Sequence, residues 1–282
     1  MVSPPPPLDM APLFDMATRA QRRARAKTIG LADFLHREAA AQVQERLADV
    51  NKSFTKAAFV GWLPEIWAAG FAAELAVPDD EVLALPENSV DLAVHGLCLH
   101  SANDPVGQLV QMRRALTPDG LMLAALFGGQ TLHELRFAMA QAESEVEGGL
   151  SPRVAPMGDL RDLGSLIQRA GLALPVADAV TLTVTYETPL HLMRDLRAMG
   201  EANAMTARRK QPLRRAVLGR ACEVYEQEFA QPDGRIPATF ELVFLTGWAP
   251  SASQPKPLKP GSATARLANA LNTTEFKGPA DD

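Results

Sequence analysis

Two stretches near the start of the chain predict helices. Residues 32–50 carry apolar side chains three and four positions apart, which is the spacing of one helix face, and residues 14–28 form a second helical segment that is much more basic. Residues 4–7 are all prolines, whose missing amide donors exclude them from helices and strand ladders. We therefore predict a disordered tail over residues 1–12 and helices over residues 13–56.

From residue 57 the pattern changes to short apolar runs separated by helical segments. The runs cover residues 57–60, 90–99 and 121–127, with helical spacing over residues 106–116 and 132–146. Apolar runs without alternation are typical of strands covered on both faces, and their alternation with helices favours a parallel sheet. The predicted fold class is therefore α/β, with a doubly wound sheet at its centre.

The second half of the chain predicts a further helix near residues 159–170 and two more strands. Residues 181–186 and 238–248 are rich in β-branched and aromatic side chains, which suits antiparallel closure of the sheet. Helical spacing at residues 190–199 and 213–229 gives a helical insertion over about residues 188–232 of a domain spanning residues 57–250. Beyond it, residues 251–282 are rich in Ser, Pro, Lys and Gly and predict an extended arm, with one short helix near residues 263–271.

Composition and charge narrow the function classes. The 282 residues have a net charge of −5, which gives no basic field of the kind that holds nucleic acid. No apolar run approaches the ~18 residues that span a bilayer, and the first residues lack a secretory or transit pattern. The two cysteines, Cys98 and Cys222, form no disulfide framework, and the five histidines lack metal-ligand spacing. We expect a bacterial cytoplasmic protein without a metal site.

Two basic stretches leave two interpretations open. Residues 19–27 carry five basic side chains, and residues 208–220 carry six with no acidic residue between Glu201 and Glu223. A solvated helix face explains both stretches. The alternative is a surface that contacts an acidic partner or the inner face of a membrane.

Several segments resemble one protein family. The runs VDLAVHGLCLH at residues 90–100 and RRALTPDGL at residues 113–121 resemble the fourth and fifth strands of class I S-adenosylmethionine-dependent methyltransferases. The subgroup of methyltransferase-like assembly factors of respiratory complex I, with their α-proteobacterial relatives, is similar over nearly all of residues 13–271. The segments that carry this second resemblance are residues 13–15, 45–51, 148–154, 193–200, 247–250 and 256–263.

The resemblance implies a Rossmann-like sheet of seven strands, with S-adenosylmethionine across the carboxyl ends of the first, second and fourth strands. It also implies a protein client, because the eukaryotic branch is associated with modification of an arginine in a quinone-module subunit of complex I. That modification is reported as hydroxylation, whereas broader relatives include a carboxyl methyltransferase of biotin synthesis. Family membership therefore leaves the reaction open.

The chain departs from the family where the cofactor is held. Of the glycine-rich turn only Gly61 is present, and Trp62, Leu63 and Pro64 stand where small residues are expected. Only about two dozen residues separate Gly61 from Leu85, which is too few for the usual helix, strand and helix. The resemblance assigns the following residues to the cofactor, with Asp80 or Glu81 accepting from the adenine amino group: Gly61, Asp80, Glu81, Leu85, His95 and Leu97. Since bulky residues obstruct a pocket, we expect impaired cofactor binding.

Two further residues are candidates for the substrate side. His100 follows a predicted strand at the edge where ligands lie, and an imidazole there suits a general base or a substrate-orienting group, or a helix-entry residue bonded to Asp104. Arg153 lies between two prolines, where its planar fork suits a carboxylate or braces the loop. His95 lies inside a strand pattern, which is more typical of a core histidine.

The sequence supports three hypotheses about function. The first is a methyltransferase-like protein that acts on or with a protein client in complex I assembly. The second is a non-catalytic binding module that has lost the cofactor, and the third is a carboxyl methyltransferase for a small molecule or carrier protein.

Overall fold

A computed structural model of the chain describes residues 11–67, 70–255 and 273. The proline tail and the short helix expected near residues 263–271 lie outside the described residues. The chain divides into two compact units, residues 1–250 and residues 251–282, and the first of them contains the sheet.

The first unit is built on a six-stranded mixed sheet with the order β2-β1-β3-β4-β6-β5. Strands β1 to β4 run parallel, and β6 pairs antiparallel with both β4 and β5. The predicted α/β class and the antiparallel closure are therefore confirmed. The strands are β1 (Ala57–Gly61), β2 (Leu75–Val77), β3 (Val90–Gly96), β4 (Leu116–Phe127), β5 (Ala173–Tyr186) and β6 (Ile236–Trp248).

The described residues form six strands where the resemblance implied seven. The difference lies between β1 and β3, where the described chain contains a single strand of three residues, β2. A helix of four residues, Pro64–Trp67, precedes β2, and the described chain between β2 and β3 is irregular. So short a connection holds one crossover unit rather than two.

Helices cover both faces of the sheet, as the sequence predicts. One apolar cluster joins the sheet to α2, α5, α7 and α8, and the other joins it to α4 and α6. Strand β3 shows why its sequence is continuously apolar, since Leu92 and Val94 pack into the first cluster and Ala93 into the second. The helices are α1 (Met16–Ile29), α2 (Phe34–Asp49), α3 (Pro64–Trp67), α4 (Pro105–Ala115), α5 (His133–Glu147), α6 (Leu160–Arg169), α7 (Pro189–Ala198) and α8 (Arg215–Phe229).

Two strands begin earlier than the sequence predicts. Strand β4 starts at Leu116, and the expected turn around Asp119 is a local irregularity, with a register shift against β3 and a φ of 65° at Asp119. Strand β5 starts at Ala173 with a bulge before Val176. Its first half is mostly exposed at the sheet edge, so it lacks the apolar alternation that marks a half-buried strand.

Strands β1 and β3 end in a pair of glycines that approach each other closely. Gly61 pairs with Gly96, and a Cβ on Gly61 would lie 3.0 Å from the Gly96 carbonyl oxygen. A Cβ on Gly96 would lie 2.5 Å from the Phe59 ring and 2.8 Å from the Trp67 ring. Those two rings are stacked with centroids 5.8 Å apart and have no exposed surface. The space beside the glycines is therefore occupied by the chain's own aromatic core.

Helix α1 is attached to the sheet mainly by charge. Of its 14 residues only Arg19 and Ala26 are buried. The Arg19 and Arg23 guanidinium groups form ion pairs with Asp79, which follows β2, at 2.9 and 2.7 Å. The two arginine side chains are 8% and 11% exposed and the Asp79 side chain is 4% exposed, so these ion pairs are shielded from solvent. The basic stretch of α1 is therefore not simply a solvated face.

The environment of Asp79 favours its charged form. Burial alone would raise the pKa of its carboxyl group, but attraction to Arg23 and then Arg19 outweighs burial and lowers the pKa from 3.8 to about 2. A carboxylate of this kind stabilises the fold above its unfolded-state pKa and loses that contribution as the pH falls through its folded-state pKa.

The packing of Gly96 gives a stability prediction. We expect Gly96→Ala to lower the free energy of unfolding by about 1–3 kcal/mol, because the new methyl group overpacks the aromatic core. Gly219 lies in α8, and a Cβ added there would have no atom within 4 Å, so Gly219→Ala is the matched control and should stabilise by about 0.5–1 kcal/mol. Urea unfolding measures the free energy of unfolding of both variants. An unchanged value for Gly96→Ala would contradict the packing described.

The Asp79 ion pairs give a pH prediction. Asp79→Asn leaves two arginines without their counter-charge and should cost about 3–5 kcal/mol at pH 7. The gap between the unaltered chain and this variant should narrow by about 2 kcal/mol between pH 4 and pH 2, because the carboxyl group is then protonated. The exposed neighbour gives the control, since Asp80→Asn should change stability by less than about 0.5 kcal/mol. A gap that stays constant with pH would contradict the ion pairs.

Candidate functional site

The carboxyl ends of β1 and β3 are covered by bulky side chains. Trp62 follows β1, and its ring lies under the Arg23 guanidinium at 5.4 Å and the Lys27 ammonium at 5.9 Å. The ring also contacts Gly200, where an added Cβ would lie 3.1 Å away. Leu63 is fully buried in the left-handed conformation, with a φ of 59°. Residues from three parts of the chain therefore meet above this edge.

A buried histidine completes the same packing. The Trp67 indole Nε1 donates to His36 Nδ1 on α2 at 3.1 Å, and the Trp62 ring meets the His36 ring edge-on. Burial lowers the pKa of His36 to about 4, so it is neutral at physiological pH. His36 therefore serves as a hydrogen-bond acceptor within the core.

Cys98 lies next to the ion pairs. Its Sγ accepts from the Arg23 guanidinium at 3.2 Å. Burial raises the pKa of the thiol to about 12 in spite of that cation, so the nucleophilic thiolate is not formed at neutral pH.

The residues assigned to the cofactor are not gathered around one open space. Asp80 and Glu81 are exposed, and their backbone carbonyl groups accept from Gln108 and Gln111 on α4. His95 Nε2 contacts Gln108 Oε1 at 3.0 Å inside the core, where burial lowers its pKa to about 4. The other three are packed into the fold: Gly61 against Gly96, Leu85 in the second apolar cluster, and Leu97 buried with a φ of 49°.

Sequence reasoning missed Asp79, which is the carboxylate that points inward after β2. Val77 is buried and Pro78 is exposed, so period-two alternation continued past the strand places Asp79 on the inner side. That alternation was the available signal, and it favours Asp79 over Asp80.

The described residues at this edge do not fit S-adenosylmethionine as they are arranged. A class I site needs an open glycine-lined turn and a free acidic group beside it. Here aromatic rings fill the space beside Gly61 and Gly96, and Asp79 is engaged by Arg19 and Arg23.

A cavity of about 290 Å³ lies beside this covered edge. It is framed by the short 3-10 helix Leu99–Ser101, the end of β4, α5, the loop around Arg153, and the turn after α7. Most of its lining is apolar, and its charged or titratable members are Arg19, His100, Arg153, Arg197 and Glu201. Both candidate substrate-side residues, His100 and Arg153, therefore face one cavity.

His100 is held by a partner distant in sequence. Its Nε2 lies 3.3 Å from Glu201 Oε2, and its ring packs against Phe127 with centroids 4.7 Å apart. The side chain of His100 is 4% exposed and that of Glu201 is 23% exposed. Asp104 instead accepts from Gly107 N at 2.7 Å as the N-cap of α4. The bond between His100 and Asp104, one of the two interpretations of His100, is therefore replaced by a bond between His100 and Glu201.

Glu201 was missed because nothing in its local sequence points to His100. It follows Gly200, whose φ of 78° turns the chain sharply after α7 and carries Glu201 to the cavity. Burial alone would raise the pKa of this carboxyl group, but His100 and then Arg23 outweigh burial and lower it. Glu201 is therefore ionised at neutral pH.

Arg153 braces its loop and also lines the cavity. Its Nε donates to Glu143 Oε1 on α5 at 2.8 Å and its Nη2 donates to the same oxygen, and the Glu143 side chain is 2% exposed. Ser151 bonds to the same carboxylate. Glu143 neutralises the charge of Arg153. The pair therefore holds the loop around Arg153 in place as part of the cavity wall.

The second basic stretch is largely paired within the chain. All but one of the acidic partners of its arginines lie far away in sequence. The pairs are Arg208 with Asp15, Arg209 and Arg214 with Glu147, and Arg220 with Glu145 and with its helix neighbour Glu223. This pairing was invisible in the sequence because most of these acids lie outside the stretch. Within the described residues, no helix is both long and apolar enough to cross a lipid bilayer.

Comparisons with known proteins indicate a family for this chain. Residues 64–124 match the family model described as a methyltransferase domain. The chain is 32% identical to the protein named arginine-hydroxylase NDUFAF5, mitochondrial, of Danio rerio, over 91% of this chain and 89% of that protein. It is 37% identical to a malonyl-[acyl-carrier protein] O-methyltransferase of Halorhodospira halophila, over 60% of this chain and 56% of that protein. A solved structure of the YcgJ protein of Bacillus subtilis is 12% identical, with a TM-score of 0.47 over 76% of this chain and 99% of that one.

The likeness to the first of these proteins is not confined to the methyltransferase domain match, because it covers nearly the whole of both chains. An identity above 30% over that length places this chain in the family of arginine-hydroxylase NDUFAF5.

Proposed function

We propose that this chain is a methyltransferase-like assembly factor that acts on or with a protein client of respiratory complex I in the bacterial cytoplasm. The client's side chain enters the cavity beside His100, and Glu201 and Arg153 hold the walls in place. The family's association with a quinone-module subunit supports that subunit as the client, and the named activity of its relatives supports arginine as the residue acted on.

The observation that carries this proposal is a covered cofactor edge beside an open cavity. Trp62, Trp67 and the Asp79 ion pairs fill the first, whereas the cavity of about 290 Å³ has room for a single side chain. A chain whose cofactor edge is covered and whose cavity is open is suited to holding a client residue, whether or not the chain transfers a group to that residue.

The methyltransferase domain match supports S-adenosylmethionine as the cofactor to test first. We propose that its binding is impaired by the chain's own residues, with α1 and Trp62 as the obstruction. Because α1 buries only one apolar residue, Ala26, its displacement sacrifices little hydrophobic burial. Binding of the cofactor therefore depends on moving α1 away.

The non-catalytic alternative is compatible with the same covered edge. In that version the chain holds its client as a chaperone and transfers no group. The carboxyl methyltransferase alternative has support from the H. halophila relative, but the ionised Glu201 in the cavity repels a substrate carboxylate.

Opening the cofactor edge should increase affinity for S-adenosylmethionine. We expect Arg19→Gln with Arg23→Gln, or Trp62→Gly with Pro64→Gly, to tighten binding by at least about tenfold, which corresponds to about 1.4 kcal/mol. Arg25 is exposed on the same helix, so Arg25→Gln is the control and should leave the affinity unchanged. Equilibrium dialysis with labelled cofactor measures all of these chains. If both double variants bind S-adenosylmethionine with the same affinity as the unaltered chain, the proposal that α1 and Trp62 obstruct binding is wrong.

The proposed client role is tested in a complex I-containing bacterium that lacks its own member of this family. Expressing this chain should restore assembled complex I, and Glu201→Lys should fail to do so because it places a cation at His100. Native gels and the mass of quinone-module peptides are the readouts. A restored complex with an added methyl or hydroxyl group indicates catalysis, and a restored complex without one indicates the non-catalytic version. If complex I is assembled equally well without this chain, the proposal is wrong.

A further inference from the structure

One long edge of the sheet has no partner strand among the described residues. Strand β5 lies at one end of the strand order and pairs only with β6. The strand at the opposite end, β2, is only three residues long. Proteins protect exposed edges from association by keeping the edge strand short or by adding a proline, a bulge or a charge. Strand β5 has 14 residues, so its sequence decides whether its edge is protected.

Only the first half of β5 carries such protection. Pro175, the bulge before Val176, and the ion pair of Asp178 with Arg46 all lie there. Residues 179–186 read AVTLTVTY, which contains no charged residue, proline or glycine and is rich in β-branched side chains. The second half of β5 is therefore an unprotected edge with a strong preference for strand pairing.

The hydrogen bonds of β6 show which backbone groups this edge presents. Thr239 N donates to Glu134 Oε2 at 3.2 Å, and the Thr239 carbonyl oxygen accepts from Leu132 N at 2.8 Å. Because both groups point away from β5, the pair of Thr239 with Thr183 is of the non-hydrogen-bonded kind. The N–H and C=O of Thr183 therefore point away from β6, to the outside of the sheet. The two-residue repeat of a strand gives Thr181 the same orientation.

The free edge ends at Thr185. Its carbonyl oxygen accepts from Arg235 Nη2 at 2.7 Å, and its hydroxyl oxygen accepts from Arg235 Nε at 3.1 Å. This arginine lies one residue before β6 and occupies the position that a further strand would take. The outward groups of Thr181 and Thr183 form no such bond within the described residues. The available part of the edge is therefore centred between these two threonines, at Leu182.

The sequence of this edge is complementary to itself. Residues 180–184 read VTLTV in both directions, so an antiparallel pairing centred on Leu182 places every residue opposite one of its own kind. Thr181 of one copy then lies opposite Thr183 of the other, and their outward backbone groups can bond to each other. Leu182 packs partly against the first apolar cluster, and its own copy would lie beside it.

We propose that the second half of β5 is a dimerisation edge, where a second copy of this chain pairs antiparallel about Leu182 and continues the sheet across both copies. The occupant is a second copy because the edge matches itself both in sequence and in the direction of its backbone groups, as a twofold interface requires. An interface of one short strand is small, so the dimer is weak, with a dissociation constant of roughly 1–100 μM. This inference concerns a different part of the molecule from the cavity and does not rest on the proposed function.

Sedimentation velocity of the full chain tests whether the dimer exists. We expect the sedimentation coefficient to rise from the value of a monomer to that of a dimer between about 1 and 100 μM protein. A monomer at every concentration up to about 1 mM would overturn the proposal.

Charges at the two facing threonines test the register. Thr181→Lys with Thr183→Lys places lysines opposite each other across the interface and should weaken the dimer by at least about tenfold. Thr181→Lys with Thr183→Glu places opposite charges there and should return the dissociation constant to within about threefold of the unaltered chain. If the double-lysine variant dimerises as tightly as the unaltered chain, β5 is not the interface.

Two controls separate this effect from charge and from misfolding. Ala216→Lys with Gln227→Lys adds the same charge at exposed positions of α8 and should change the dissociation constant by less than about threefold. Both threonines are exposed in the single chain, so their variants should unfold at nearly the temperature of the unaltered chain. Rescue by the lysine–glutamate pair distinguishes a contact across the interface from a defect within one chain.

A cysteine at the centre of the pairing gives an independent measure of the register. Leu182 and its copy would form a non-hydrogen-bonded pair, whose Cα atoms lie about 4.5 Å apart, within reach of a disulfide. Val180→Cys is the matched control, since its two copies would lie about 13 Å apart. With Cys222→Ser as the background, mild oxidation should link Leu182→Cys into a dimer and leave Val180→Cys unlinked. Equal cross-linking of the two variants would overturn the proposed pairing.

Discussion

The buried contact of Asp79 with Arg19 and Arg23 is the interaction on which the arrangement of this molecule depends. Two guanidinium groups and one carboxylate, all nearly removed from solvent, attach a helix that has little apolar surface of its own to bury. Desolvation makes such a cluster expensive unless its geometry is good, and Arg19 gains a further bond to Ser101 Oγ at 2.9 Å. These ion pairs therefore hold the middle of α1 against the edge of the sheet.

Placing α1 there divides the carboxyl edge of the sheet into two unlike halves. On one side Arg23 and Lys27 lie against Trp62, and Trp67 closes the space beside the two glycines. On the other side Phe14, just before the same helix, and Arg19, in its first half, form part of the cavity wall. Hydrogen bonds of Phe14 with Asn103 and of Asp15 with Ala204 join this end of α1 to both neighbours of the cavity. A movement of α1 would change both halves together.

The sequence predicted what depends on periodicity and missed what depends on distant pairs. Strand β3 was recognisable because both of its faces are buried, and His100 was placed correctly at the carboxyl edge because it follows that strand. Its partner Glu201 lies 101 residues away, and only the folded chain brings them together. For the arginines of α1 the sequence left a solvated face and a partner surface open, and it missed their pairing with Asp79, because helical spacing records which residues share a face and not what covers that face. The start of β5 was missed for a related reason, since an exposed edge strand lacks the alternation that burial imposes.

The central claim is that the chain's own side chains occupy the edge where this fold holds its cofactor. Calorimetric titration of the unaltered full chain with S-adenosylmethionine and S-adenosylhomocysteine tests it most directly, because a ligand that binds the folded state must also raise thermal stability. We predict no heat of binding and no shift of the unfolding temperature at ligand concentrations up to about a millimolar. Each tenfold change in affinity corresponds to about 1.4 kcal/mol of binding free energy. Micromolar binding with a matching thermal shift would contradict the claim and show that the edge is open in solution.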